Sequence, residues 1–213
     1  MPMAEDGQRA TFVRGEGDEW FRRNRSALGA GAPSPANELF VEFLGPGDRV
    51  LEIGSADGSR LRELVDRTGC SGWGIDPSAA AVAAGTGRHR GVALTVGTAE
   101  RLSFPARSFE VVLFGFCLYL VDRALLHAAI AEARRVLTPG GFVLIHDFDP
   151  PAPTERPYHH VPGLVTYKAD YSTLFTDRSD FVLVAKRSFS HHGSTFHPDP
   201  QERVGAWVLH HEA

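Results

Sequence analysis

No lysine precedes Lys168 in this chain of 213 residues, and its only cysteines are Cys70 and Cys117. The first absence excludes a phosphate loop of the nucleoside-triphosphate kind, which ends in Lys followed by Ser or Thr. The second argues against a disulfide framework, which a chain of this length does not need, so a reducing cytoplasm is the expected setting. No apolar run approaches the roughly 18 residues of a membrane span. The start, MPMAEDGQRA, has no basic region followed by a hydrophobic one, so neither an anchor nor an export signal is expected. Positive charge is not in excess either: 22 Lys plus Arg stand against 26 Asp plus Glu. A nucleic-acid backbone therefore finds no electrostatic footprint. Internal repeats and heptad runs are also missing.

What is present reads as one globular domain, 43% hydrophobic and 23% charged. Residues 49–53, 72–75, 92–96, 109–116 and 141–148 read as strands, the last two almost continuously apolar as in a parallel sheet interior. Helices are expected at 59–67, 78–84 and 122–137. The last presents Leu126, Ala129, Ile130, Ala133 and Leu137 on one face, with Asp122 as its cap and TPGG at 138–141 as its stop. Two further strands, 181–191 and 202–211, are expected to pair antiparallel at one edge.

The predicted fold is therefore α/β: a seven-stranded, mostly parallel sheet with helices on both faces and an antiparallel C-terminal edge hairpin. Residues 1–35 read as a tail, mobile at first, with a short cap helix around Trp20 and Phe21. Residues 36–213 read as the main domain. Within it, 149–163 carries five prolines in fifteen residues and reads as a loop, part of a substrate-side insertion around 149–175.

Chemistry concentrates at VLEIGSADGS, residues 50–59. A strand ends at an acid, Glu52, and gives way to Gly54 and Gly58, which let backbone bend and approach a ligand without a clashing Cβ. In doubly wound sheets ligands sit outside such carboxyl ends. A dinucleotide would want glycines where this chain has Gly54, Ala56 and Ser59, so its pyrophosphate has no good nest. A nucleoside without phosphates, carrying a carboxylate, an ammonium and a sulfonium, fits better.

On these residues the stretch resembles the first motif of the class I, seven-stranded S-adenosylmethionine-dependent methyltransferases. The resemblance continues in order. GWGIDPS (72–78) is similar to the family's second strand, which implies that Asp76 binds the ribose hydroxyls. An acid at that strand end can also accept both ribose donors on general grounds, while "DPS" alone would equally suit a helix cap. GTAERLSFPARSFEVVLF (97–114) is similar to the third-strand exit and fourth strand, and RRVLTPGGFVLIHDF to the approach to the fifth. The implied cofactor is S-adenosylmethionine, leaving as S-adenosylhomocysteine. The implied binding set is Glu52, Gly54, Ser55, Ala56, Gly58, Asp76, Pro77, Thr98, Ala99, Glu100, Phe114 and Phe116, with Leu102 either an adenine wall or core. The family often has Asp where Thr98 stands and Gly where Ala56 stands.

The resemblance implies methyl transfer, for which the protein supplies orientation and exclusion of water. A base is needed only for a protonated nucleophile. The candidates, in order, are His146, Asp147, then His159 or His160; adjacent His146 and Asp147 point to opposite faces if the strand persists. The acceptor is expected to be a small molecule, O-methylated (a sugar, phenol or natural-product intermediate), among Trp20, Phe21, Tyr119, Phe148, Tyr158, His159 and His160. The alternatives are N-methylation of an amine, peptide or protein, and a non-catalytic cofactor-binding partner. The histidine pairs diverge on strands and lack metal-ligand spacing, so no metal is expected. A monomer or homodimer is compatible with the sequence.

Overall fold

The structure, a computed structural model, describes residues 7–28 and 34–212. The expected tail at 1–6 and most of the expected linker at 29–35 lie outside the described residues.

From Gln8 on, the described residues form helical turns, within the segment read from the sequence as mobile at first. Helix α1 (Gln8–Thr11), a wider helical turn (Phe12–Glu16) and α2 (Gly17–Asn24) follow without a break, kinked at Gly15. Asp18 anchors this segment by accepting hydrogen bonds from Ser78 Oγ at 2.6 Å and Ala80 N at 3.0 Å, so the cap helix is docked on the body of the domain. Helix α3 (Pro35–Phe40) then leads to strand β1 (Arg49–Ile53).

From β1 the expected alternation holds: α4 (Ser59–Thr68), β2 (Ser71–Asp76), α5 (Ala79–Gly85), β3 (Val92–Val96), β4 (Phe109–Gly115), α6 (Leu126–Val136) and β5 (Leu137–Phe148). Helix α4 is bounded by Gly58 and Gly69, both left-handed, and buries Leu61 and Leu64. Ser78 caps α5 by accepting from Ala81 N at 3.0 Å. Helix α6 buries Leu126, Ala129, Ile130, Ala133 and Val136. It starts four residues after Asp122. That residue shapes the preceding turn instead, its Oδ1 accepting from Ala124 N at 3.0 Å. TPGG does not separate α6 from β5 but lies inside β5 as a bulge, with Phe109 opposite Leu137 and Val111 opposite Phe142.

The segment expected as a proline-rich loop contains a separate hairpin, β6 (Thr154–Pro157) with β7 (Val165–Lys168), followed by the short α7 (Thr173–Thr176). Strands β8 (Phe181–Ser190) and β9 (Arg203–His211) close the main sheet, whose order is β3-β2-β1-β4-β5-β9-β8. Strands β1 to β5 pair in parallel; β9 runs antiparallel to both β5 and β8.

Side-chain alternation divides the core. Leu51, Ile53, Val112, Phe114 and Ile145 pack with α6 on one face. Val50, Leu113 and Leu144 pack with Phe40, Leu61 and Leu64 on the other. The same period sends Glu52 and His146 to the second face and Asp147 to the first. No helix among the described residues is long and apolar enough to cross a membrane.

Candidate active site

The carboxyl ends of β1, β2 and β4 border a predominantly apolar cavity of about 850 Å³, mouth included, within the range of small-ligand sites. Gly54, Asp76, Pro77, Thr98, Ala99, Glu100 and Phe116 line it. So do Arg9, Phe12 and Trp20 from the docked N-terminal segment, and Cys117 from the turn after β4, none of which the motif reading had assigned to the cofactor.

The walls are bare for a steric reason. A Cβ on Gly54, which sits at φ +77°, would lie 2.6 Å from Cys117 Cβ, and one on Gly115 would lie 2.3 Å from Glu52 Oε1. Two residues with side chains hold left-handed backbone here: Ala56 at φ 47° and Phe116 at φ 65°. Such strain persists only where the surroundings enforce it, and functional sites collect it. Ala56 N donates to Asp76 Oδ2 at 2.8 Å, and Phe116 N donates to His146 O at 2.9 Å. Gly58 makes the turn into α4 with its N donating to Ser55 O at 2.9 Å, and does not line the cavity.

Two carboxyls at these strand ends are strongly perturbed, Asp76 in the cavity wall and Glu52 behind Gly54 and Gly115. Burial lifts Glu52 to about 7 against the opposing pull of Arg60, and its Oε2 has no hydrogen-bond partner. Burial likewise lifts Asp76 to about 6, although Ser78 N and Ala56 N each donate to one of its oxygens. The cap reading of Asp76 and its place in the cavity wall thus coexist. Glu100 accepts from Thr98 Oγ1 at 2.7 Å and pairs with Arg9, which ties the N-terminal segment to the β3 exit.

Beyond Gly54, Gly115, Phe116 and Trp20 a wider groove continues. Its wall includes Glu52, Ser55, Ala56, Arg60, His146, Phe189 and His191. The Phe116 ring is the centre of an aromatic cluster, with centroids 4.8 Å from His146, 5.0 Å from Phe148, 5.3 Å from Tyr119 and 5.5 Å from His191. His191 and Phe189 come from the end of β8, which the motifs do not reach.

Several expected site residues are elsewhere. Phe114 points into the α6-side core and packs on Phe175; Phe116, two residues on, goes to the other side because it lies past the end of β4 in left-handed backbone, where strand alternation no longer holds. Leu102 belongs to the same core. Asp147 is fully buried, accepting from Tyr119 N at 3.3 Å and Phe148 N at 2.8 Å; burial lifts it to about 7, and it lines neither cavity nor groove. It fixes the backbone around the aromatic cluster. Tyr158 donates to Glu16 at 2.6 Å and accepts from Arg23 at 3.0 Å, clasping the hairpin to α2. His159 and His160 are exposed at the β6–β7 turn, and Phe21, on α2 itself, is buried and lines neither cavity nor groove. His146 does face the groove, but its Nδ1 lies 2.9 Å from Arg60 Nη2. A guanidinium only donates, so Nδ1 must carry the lone pair. Burial, reinforced by Arg60 and His191, holds the ring's basicity well below that of a free histidine. No three His, Cys, Asp or Glu side chains among the described residues gather into a metal site.

Comparison with known proteins agrees with the geometry. Residues 50–141 match the methyltransferase domain family. The chain is 32% identical over 165 residues to the demethylmenaquinone methyltransferase of Beutenbergia cavernae, covering 74% of this chain and 68% of that protein. It is 37% identical over 111 residues to the ubiquinone/menaquinone biosynthesis C-methyltransferase UbiE of Bordetella parapertussis, where it spans only 42% of the relative. The fold matches that of a Burkholderia thailandensis 1,6-didemethyltoxoflavin-N1-methyltransferase with a TM-score of 0.78 at 17% identity, over 100% of this chain and 93% of that one.

The chain belongs to the class I S-adenosylmethionine-dependent methyltransferases. It is an enzyme that uses S-adenosylmethionine to methylate a small-molecule acceptor. The site fits that cofactor: Asp76 keeps acceptor capacity at the cavity wall, the glycines leave the backbone bare, and Glu52, on the groove that shares Gly54 and Gly115 with the cavity, offers an unpartnered buried oxygen.

Proposed function

We propose that the acceptor is a planar hydroxylated ring, of the quinol or phenol kind, methylated at a ring carbon. The observation that carries this reading is the set of rings on the groove wall, Phe116, His146, Phe189 and His191, placed where the cavity opens into the groove. Rings packed at a tilt around Phe116 favour a flat, π-bearing guest. Relatives named as demethylmenaquinone and UbiE C-methyltransferases favour carbon over the oxygen that the sequence suggested.

S-adenosylmethionine, when bound, supplies a methyl carbon made electrophilic by its sulfonium. The chain's own residues do the rest by placement. Asp76 accepts from the ribose hydroxyls, Ala99 and Pro77 flank the nucleoside, and Glu52 faces the amino-acid end. Arg9, Phe12 and Trp20 cover the cavity and keep water out, which strengthens every charge interaction inside. Phe116, held in its strained backbone, stands between cofactor cavity and acceptor groove.

None of the sequence-derived bases is free for an ordinary hydroxyl: His146 is held by Arg60, Asp147 by backbone amides, and His159 and His160 are exposed on the hairpin. An acceptor that ionises readily avoids this lack, since a quinol or phenol anion carries nucleophilic character on its ring carbons. The test is incubation with S-adenosylmethionine and 1,4-dihydroxynaphthalene under reducing conditions, locating the new methyl by NMR. A ring C-methyl is expected. A methyl ether would move the assignment back to oxygen, and methylation of amines alone would overturn it.

A further inference from the structure

The sequence gives Arg60 no role, yet its setting is unusual. It is the second residue of α4, in the first turn, where the helix macrodipole disfavours a cation. Two contacts hold it there. Nη2 lies 2.9 Å from His146 Nδ1, and Nη1 lies 3.6 Å from Glu52 Oε1. Arg60 Nη1 is nevertheless buried without a hydrogen bond, and so is Glu52 Oε2. An unsatisfied cation edge and an unsatisfied anion edge thus stand side by side. Both line the groove with Gly54 and Gly115, the two glycines whose missing Cβ keeps the backbone bare, and these same glycines also line the cofactor cavity.

We propose that Arg60 and Glu52 together form a receptor for an α-amino-acid zwitterion. Arg60 donates to the carboxylate of the cofactor's methionine tail, Glu52 accepts from its ammonium, and His146 is the positioning residue that holds Arg60. Each charge of such a tail meets its opposite, and each of the two unpartnered side-chain atoms gains a partner, which a singly charged ligand could not provide. This reading reassigns His146. Its Nδ1 lone pair is committed to the guanidinium, so it orients a binding group rather than taking the acceptor's proton. The inference concerns the cofactor's tail and stands whatever the acceptor is.

Two probes isolate the tail. S-adenosylhomocysteine carries the amino acid; 5′-methylthioadenosine carries the same nucleoside and thioether without it. Affinities for both are measured by calorimetry for the wild type, Arg60→Met, Arg60→Lys, His146→Leu and His146→Gln. In the wild type S-adenosylhomocysteine is expected to bind the tighter. Arg60→Met should cut its affinity about 10- to 100-fold, the range of a hydrogen bond between charged groups, and leave methylthioadenosine within about twofold. Arg60→Lys should recover part of the loss. His146→Leu should lower the same ratio, and His146→Gln, which keeps an acceptor for Arg60, should restore it.

Equal losses for both probes in Arg60→Met would match a folding defect. The His146→Leu ratio then decides, and a wild-type ratio there overturns the assignment. An unchanged ratio in Arg60→Met overturns it directly. Should the wild type prefer neither probe, the zwitterion receptor fails while the nucleoside site stands.

Discussion

The two sides of the β4 exit are built from different materials. Towards β1 and β2 the wall is backbone and small residues, Gly54, Gly97, Ala99 and Gly115, with acids at strand ends. Towards β5 and β8 it is rings, Phe116, Phe189 and His191, with His146 beside them but turned to Arg60. A backbone wall is fixed by the sheet itself and admits a ligand of one shape. A wall of side chains can be recut without disturbing the strands that carry it. One fold can therefore hold its cofactor constant while its acceptor varies.

The largest expected effect breaks the backbone wall. In Gly54→Ala the new Cβ would meet Cys117 Cβ at 2.6 Å, at a φ of +77° that L side chains rarely adopt. Binding of S-adenosylhomocysteine is expected to fall by about 100-fold or more, since both the strain and the lost approach act on the same turn. Calorimetry checks this, with circular dichroism to confirm the fold. Near-normal affinity would mean that the bare wall is only a tight turn.

That wall was the part legible in the sequence, because a turn demanding positive φ leaves glycine in the chain and an acid at a strand end stands at a fixed interval from it. The alternation of strands and helices, the antiparallel edge and Asp76 at the cavity follow from the same regularities. Arg60 and His191 were not legible. Arg60 acquires meaning only when folding brings α4 against Glu52 and His146, although an arginine in a helix's first turn, against the dipole, was a signal available from sequence. His191 lies past β8, where its partners Phe148 and Phe116 come from other strands. The proline-rich 149–163 reads as loop because proline masks the two-residue alternation. Its hairpin is held by tertiary contacts, such as Val165 N donating to Gln8 Oε1 at 3.2 Å.

A second prediction exploits the buried acid behind the backbone wall, Glu52, whose Oε2 has no hydrogen-bond partner. Burial raises Glu52 from the ordinary 4.5 to about 7, so the folded chain keeps a proton that the unfolded chain releases. The sign follows: its contribution to stability is complete below about pH 4.5 and is lost as pH rises through about 7. Asp76 and Asp147 titrate with the same sign, so the measurement is a difference. Urea melts of ligand-free Glu52→Gln and wild type should diverge in favour of the variant by up to about 3 kcal/mol between pH 4.5 and 8. A constant difference across that range would show that Glu52 is ionised throughout. S-adenosylhomocysteine affinity of the wild type should rise over the same interval, because a bound ammonium favours the carboxylate.

A third, smaller effect belongs to the ring wall. The His191 ring stacks on Phe148 at 12° and 5.9 Å and lines the groove, away from Asp76 and the adenine-side residues. His191→Ala should lower kcat/KM for the acceptor about 3- to 10-fold, the scale of one lost ring contact. Affinity for S-adenosylhomocysteine should stay within about twofold. Loss of cofactor affinity in step with acceptor efficiency would erase the division between the two walls.

The smallest effect tests why one position in the backbone wall is not glycine. Ala56 sits at φ 47° while its N donates to Asp76 Oδ2, a bond that survives replacement by glycine. Left-handed backbone costs an L residue about 1–2 kcal/mol, and glycine's extra freedom in the unfolded chain takes back about 0.5–1. Ala56→Gly should therefore stabilise the ligand-free protein by about 0.5 kcal/mol, read from urea midpoints, with cofactor affinity unchanged. A loss of stability would show instead that the buried Ala56 methyl packs well enough to outweigh its strain, and that the wall on this side tolerates a side chain wherever the neighbours leave room for one.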